Sequence, residues 1–146
     1  MDDPRLEVSK RLSESQSQYI YFLMAVAASA IAICVKRTTG LKISPTMLPL
    51  GYAVFFWGLS FYAGCRNRQY YHSHLYSNSF LIEIQNGTHH MTGNNLEAIL
   101  TAKNKISQIM EDQAELGNKY GKNQFRSLIL GAICFLIWHI IEMIII

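Results

Sequence analysis

The sequence has little of what most enzymes, metal proteins and disulfide-stapled domains require. It has three cysteines, an odd number without paired spacing, which argues against a disulfide framework or a zinc site. It contains no glycine-rich phosphate loop, no nucleophile elbow and no paired carboxylates placed for acid–base chemistry. Thirteen basic residues against ten acidic ones are too small an excess to indicate nucleic-acid binding. We therefore expect no enzymatic activity, no cofactor and no nucleic-acid partner.

The histidines are also badly spaced for a metal site. About 17 residues separate the pair His72 and His74 from the pair His89 and His90. On a helix that separation is roughly 25 Å, too far for both pairs to bind one ion. We predict no metal site.

What the sequence does have is three apolar blocks within 146 residues, enough for one domain. The blocks are Tyr19–Val35, Ser44–Gly64 and Leu128–Ile146. Each is close to the ~20 residues needed to cross the hydrocarbon of a bilayer. They predict an all-α integral membrane protein with three transmembrane helices. The third block reaches the end of the chain, so we expect its terminal carboxylate at the far interface. A signal peptide cleaved at Ala28-Ser29-Ala30 is the weaker alternative for the first block, because Lys36 and Arg37 follow at once.

The predicted division of the chain follows from these blocks. Residues 1–18 form an N-terminal cytoplasmic segment and residues 19–64 a two-span hairpin. Residues 65–124 form a cytoplasmic helical hairpin and residues 125–146 a third transmembrane helix. Basic residues near the span ends set the orientation, because they are more frequent on the cytoplasmic side. With the N-terminus inside, that side holds Lys10, Arg11, Arg66, Arg68, Lys119, Lys122 and Arg126. The other side holds Lys36, Arg37 and Lys42, so the majority favours a cytoplasmic N-terminus in a bacterial inner membrane. A lumenal loop would instead expose the glycosylation sequon Asn86-Gly87-Thr88.

Prolines and small residues suggest how the first two spans are built. Pro45 is expected in a first helical turn, and Pro49 is expected to bend the second span. Small residues four apart let helix backbones approach closely in a bilayer, within a chain or between copies. Such pairs are Ala25/Ser29, Ala28/Ala32 and Ser60/Gly64.

The polar stretch between the second and third spans predicts two helices. The second span is expected to continue to Gln85 and to end at Asn86-Gly87, with a short strand over Phe80–Ile84 as the alternative. A loop over Thr88–Gly93 is followed by Asn94 and Glu97, which are spaced as in a capping box. The next helix is expected to run to about Tyr120, and Gly117 with Gly121 suggests a hinge before the third span.

This last helix carries a heptad pattern. Ile99, Ala102, Ile106, Ile109, Gln113, Leu116 and Tyr120 recur at alternating spacings of three and four, which is typical of helices packed side by side. The pattern favours packing against the 66–85 helix of the same chain, alone or together with self-association. Gln113 is the kind of polar residue that fixes register at such a position.

His139 and Glu142 are the residues of most functional interest. They share a helix face at i and i+3, and ionisable groups in a span usually face a bundle interior or water. In an oligomer they would line a conducting path, whereas in the simpler interpretation His139 bonds a neighbouring helix and Glu142 reaches the interface.

In architecture, the Tyr19–Gly64 hairpin and the Asn94–Tyr120 helix resemble the small bacterial membrane effectors of antiviral defence systems. Those proteins join a two-span hairpin to a helical cytoplasmic sensor, and the third span here departs from that pattern. The resemblance implies a self-associating protein that forms or gates a pore or perturbs the membrane. The alternative is a non-conducting anchor or scaffold that docks a soluble cytoplasmic partner through residues 66–120.

Overall fold

The protein is all-helical over residues 4–40, 44–85 and 96–145, the part of the chain that this computed structural model describes. Helix α1 spans Pro4–Thr38, a short 3₁₀ helix spans Pro45–Met47, α2 spans Leu48–Gln85 and α3 spans Leu96–Ile145. Each of the three long helices contains a stretch long and apolar enough to cross a membrane. The prediction of three such helices is confirmed, and their length and composition suggest a multi-pass membrane protein.

The first helix is longer than its apolar block. It begins at Pro4, where the missing N–H of proline removes no helical hydrogen bond, and it runs without a break into the apolar stretch. Glu7 and Arg11, one turn apart, form an exposed ion pair with 2.7 Å between Oε1 and Nη2. Residues 4–18 of the predicted N-terminal segment are therefore helical and continuous with the first span.

The second span starts differently from the expectation. The 3₁₀ helix begins at Pro45, and the Met47 N–H donates to the Ser44 carbonyl at 3.0 Å. Pro49 is only the second residue of α2, so it removes no hydrogen bond from the helix interior and gives no cause for the predicted bend. Beyond Gly64 the helix continues to Gln85 as predicted, and the alternative of a strand over Phe80–Ile84 is wrong.

The third helix is one element of 50 residues and does not end near Tyr120. It contains no proline, and the cost of a glycine in a helix is only about 1 kcal/mol, so Gly117 and Gly121 do not stop it. Several predictions lie outside the described residues. They are the helix end at Asn86-Gly87, the sequon, the Thr88–Gly93 loop, the Asn94 cap, and His89 and His90.

The chain forms two compact units. One, here called the three-helix unit, comprises Met1–Cys65 and Tyr120–Ile146, and the other, the two-helix unit, comprises Arg66–Lys119. The interior of the three-helix unit is formed by one row of residues from each helix. The buried members are Ile20, Leu23, Ala27 and Cys34 of α1, Leu50, Ala53, Trp57, Ser60, Ala63 and Gly64 of α2, and Gln124, Gly131 and Trp138 of α3. These rows repeat at three, four or seven residues, the spacing of helices packed nearly parallel or antiparallel.

Of the predicted small-residue pairs, only Ser60/Gly64 lies in this interior. Ala25, Ser29, Ala28 and Ala32 are all exposed on α1. The same sequence motif thus occurs both at a close helix contact and on an outer surface.

The two-helix unit is an antiparallel pair. Gln113 contacts Ser73 and Ser77, whereas Gly117, further along α3, lies close to Asn67 and Tyr70, earlier on α2. Because partner numbers fall as α3 advances, the two segments run in opposite directions. Ile84 is fully buried in this unit.

Candidate functional site

The most polar part of the third apolar stretch is the His139–Glu142 face. His139 is exposed, and its ring is nearly parallel to that of Phe135, with 6.4 Å between centroids and 4° between planes. Glu142 is half-buried and forms no hydrogen bond or ion pair within the described part of the chain. The structure thus places both residues on α3, with His139 at the surface of the three-helix unit.

The surroundings of this face are apolar. Leu136, Ile140 and Met143 are all more than half exposed. Only 11% of the most apolar window of α3 is buried inside the chain, against 33% for α2. An ionisable side chain therefore stands on the span that its own chain covers least.

Inside the three-helix unit, side chains bond to the backbone of neighbouring helices. The Ser60 hydroxyl donates to the Gln124 carbonyl at 2.8 Å, and the Trp57 indole N–H donates to the Leu128 carbonyl at 3.2 Å. The Gln124 amide donates to the Ile20 carbonyl at 3.4 Å. Together these bonds connect α2 to α3 and α3 to α1.

Two glycines make these contacts possible. A Cβ on Gly131 would lie 2.6 Å from Cδ1 and Nε1 of Trp57, and a Cβ on Gly64 would lie 2.6 Å from Nε2 of Gln124. At Gly131 the near atoms belong to the rigid Trp57 ring, so this approach requires glycine, whereas at Gly64 they belong to the flexible side chains of Gln124 and Met24, which would have to shift. Trp57, Gln124 and Gly131 were not predicted from the sequence to have a role. The seven-residue spacing of Gln124, Gly131 and Trp138 was the available signal.

The heptad pattern of α3 has an inner and an outer row in the two-helix unit. Ile99, Ile106 and Gln113 are half-buried, and so is Tyr120 just beyond the unit, whereas Ile109 and Leu116 are exposed. Gln113 donates from Nε2 to the Ser73 hydroxyl at 2.8 Å and accepts from the Ser77 hydroxyl at 3.5 Å. Within the chain, then, Gln113 fixes the register of α3 against α2 through two serines.

The residues predicted to anchor the topology are mostly exposed. Lys119, Lys122 and Arg126 are exposed, and Arg68 is half-buried. Arg66 donates to Gln69 at 2.9 Å and to the Tyr70 hydroxyl at 3.3 Å, with its guanidinium 5.4 Å from the Tyr70 ring centre. Arg66 and Lys119 are the first and last residues of the two-helix unit, so basic side chains stand where each helix passes from one unit to the other.

No cluster of three or more histidine, cysteine or carboxylate side chains that could hold a metal ion occurs in the ranges that the structure describes. Among these residues His72 is exposed and His74 is half-buried. No family model, curated protein or solved structure matches the chain.

Proposed function

We propose that this chain is a homo-oligomeric membrane protein whose copies assemble with the His139–Glu142 face turned inward, where it forms or gates a pore. The supporting observation is the exposure of His139 on a span that is otherwise apolar and little covered by its own chain. An ionisable group facing lipid is costly, and such groups normally face a bundle interior, a partner or water. Further copies of the chain would supply that environment.

In this proposal the two-helix unit is the sensor or assembly element. Its exposed apolar residues support that role, because Tyr76 and Leu96 are 75% and 72% exposed and Leu100 is 53% exposed. Leu96 and Leu100 are one turn apart on α3, and adjacent exposed apolar side chains favour contact with another protein surface. The architectural resemblance adds a role as an effector in bacterial antiviral defence.

Reconstitution into liposomes tests conduction. Vesicles holding the wild-type chain should leak protons or monovalent cations, and His139→Ala and Glu142→Ala should each reduce the leak by at least about tenfold. Ile137→Ala is the matched control, because Ile137 is exposed on α3 and about 160° around the helix from His139. Tight wild-type vesicles, or equal leaks from all variants, would overturn the pore proposal.

A non-conducting anchor that docks a soluble partner through residues 66–120 is the second candidate. The same exposed residues Tyr76, Leu96 and Leu100 favour it. Tight liposomes together with a partner that co-purifies with the wild-type chain and is lost in Tyr76→Ser/Leu100→Ser would support this alternative.

We further propose a cytoplasmic N-terminus, which rests on the excess of basic residues at one set of span ends. The proposal of a bacterial inner membrane rests on the architectural resemblance alone. Cys65 is exposed at the last residue of the first part of the three-helix unit. A membrane-impermeant maleimide should therefore label Cys65 in inverted vesicles and not in intact cells, with Cys34→Ser/Cys134→Ser as the background. Labelling in intact cells would reverse the orientation.

A further inference from the structure

Two apolar grooves lie side by side where α1 ends and α2 begins. The first has a volume of about 430 Å³ and is lined by Ser44, Met47, Leu48, Gly51, Tyr52 and Phe55. The second, of about 310 Å³, lies between the last turns of α1 and the first turns of α2, where Cys34, Val35 and Thr38 face Met47 and Leu50. Both volumes are in the range of about 300–1,000 Å³ that is typical of ligand sites.

Gly51 is common to both grooves, and it keeps them open. No atom lies within 4 Å of the position that a Cβ on Gly51 would occupy. Met47 is the other shared residue. Any side chain larger than alanine at position 51 would therefore fill space in both grooves at once.

The charge at this end of the unit has one sign. Lys36 and Arg37 are exposed in the last turn of α1, between the groove residues Val35 and Thr38. The sequence contains no acidic residue from position 15 to position 82, and it has a further basic residue at Lys42. In the proposed orientation, Lys36, Arg37 and Lys42 lie on the side of the membrane that holds fewer basic residues. The preference of basic residues for the cytoplasmic side therefore does not explain them.

We propose that the two adjoining grooves, which share Gly51, bind an acyl chain of an anionic phospholipid. The phosphate of this lipid is held by Lys36 and Arg37. The first groove runs along the start of α2, and the second lies between the apolar stretches of α1 and α2. The surrounding solvent there is hydrocarbon, and an unfilled groove would forfeit dispersion contacts. A basic pair at the end of a span attracts the negative headgroup. The combination of apolar groove and adjacent cations selects a lipid with both features.

Native mass spectrometry of the full-length chain in detergent, titrated with phosphatidylglycerol, tests this proposal. Gly51→Phe should weaken phosphatidylglycerol binding by about tenfold or more. Gly58→Phe is the matched control: Gly58 is on the same helix, seven residues on, also has no atom within 4 Å of its Cβ position, and does not line either groove. Equal losses in the two variants, or no loss in either, would overturn the groove assignment.

The role of Lys36 and Arg37 is tested by comparing two lipid headgroups. Wild-type protein should bind phosphatidylglycerol at least about tenfold more tightly than phosphatidylcholine with the same acyl chains, and Lys36→Ala/Arg37→Ala should remove that preference. A preference that persists in the double variant would overturn the role of the basic pair.

A second measurement does not depend on the folding of any variant. Phosphatidylglycerol with a photoreactive group in its acyl chain should crosslink wild-type protein at Tyr52, Phe55 or Val35. Crosslinks confined to other parts of the spans, such as Ile129 or Ile133 of α3, would place the lipid elsewhere and refute the site.

Discussion

Replacing Gly131 with alanine should destabilise the three-helix unit through a single methyl group. The new Cβ would lie 2.6 Å from Cδ1 and Nε1 of Trp57 and 3.0 Å from its Cε2. Trp57 is only 6% exposed, and its ring is 5.8 Å from that of Phe135, so the indole has little room to retreat. The rigid ring must shift, or α2 and α3 must separate.

The magnitude follows from three terms. Overpacking a filled interior costs about 1–3 kcal/mol. Displacing the indole also weakens its hydrogen bond to the Leu128 carbonyl, and such a bond contributes about 0.5–1.5 kcal/mol. The higher helix propensity of alanine opposes these losses by up to about 1 kcal/mol, which leaves a net loss of about 2 kcal/mol. At Gly58 a Cβ meets no atom within 4 Å, so Gly58→Ala retains only the propensity gain.

Thermal unfolding in detergent, followed by a maleimide dye that fluoresces on reaction with a thiol, measures the difference. Cys34 is buried and reacts only when the unit opens, whereas Cys65 is exposed and Cys134 is half-buried, so both are replaced by serine in every variant. A loss of about 2 kcal/mol corresponds to a fall in Tm of about 4–8 °C for a chain of this size. Gly58→Ala should unfold at or above the wild-type temperature. If Gly131→Ala has the same Tm as the wild type, or if both alanine variants show the same fall in Tm, the close contact between Gly131 and Trp57 does not limit stability.

Two further predictions use the same logic. Gly64→Ala should cost about 1–3 kcal/mol in the same assay, with Gly51→Ala as the unhindered control. The new Cβ would meet both the Gln124 side chain and Cγ of Met24, so Gly64→Ala/Gln124→Ala relieves only part of the clash and should lose less than the sum of its single variants. Strict additivity would contradict a contact with Gln124. Gln113→Ala should speed amide hydrogen exchange in 66–85 and 96–119 because two hydrogen bonds to α2 are lost, whereas Gln108→Ala, on an exposed position, should not. Equal exchange in both variants would mean that Gln113 does not hold α3 against α2.

The sequence was informative about which segments are helical, because a long apolar run of span length has few other solutions. The continuation of α2 to Gln85 was also predictable, since no proline or glycine interrupts the chain after Gly64. The prediction that failed was the end of the next helix near Tyr120, because α3 continues as one helix of 50 residues; the hinge suggested by Gly117 and Gly121 stays a prediction. A glycine lowers helix stability only slightly. The sequence at Gly117 therefore does not reveal whether packing against other helices keeps the helix continuous there.

The inner faces of the spans were not predictable in the same way. When every face of a helix is apolar, the period of hydrophobicity does not indicate which face turns inward. Small residues did not resolve this either, because Ser60/Gly64 is buried and Ala28/Ala32 is exposed. The interior was marked instead by polar and aromatic residues such as Gln124 and Trp57, which have partners on other helices. Finding those partners requires the three-dimensional arrangement.

The case for assembly rests on His139 and not on the low burial of α3. In a bilayer an exposed leucine or isoleucine is satisfied by lipid, which is as apolar as the side chain itself, so an uncovered apolar helix does not require a partner. His139 is exposed on that helix, and lipid does not supply the hydrogen bonds that an imidazole would otherwise make with water. His139→Leu, at similar volume, should therefore leave membrane insertion intact or improve it, while the crosslinked oligomer decreases. Ile137→Leu, on the far side of the helix, should change neither. If the oligomer persists undiminished in His139→Leu, assembly is driven by another surface, and the inward-facing histidine on which the pore proposal depends is refuted.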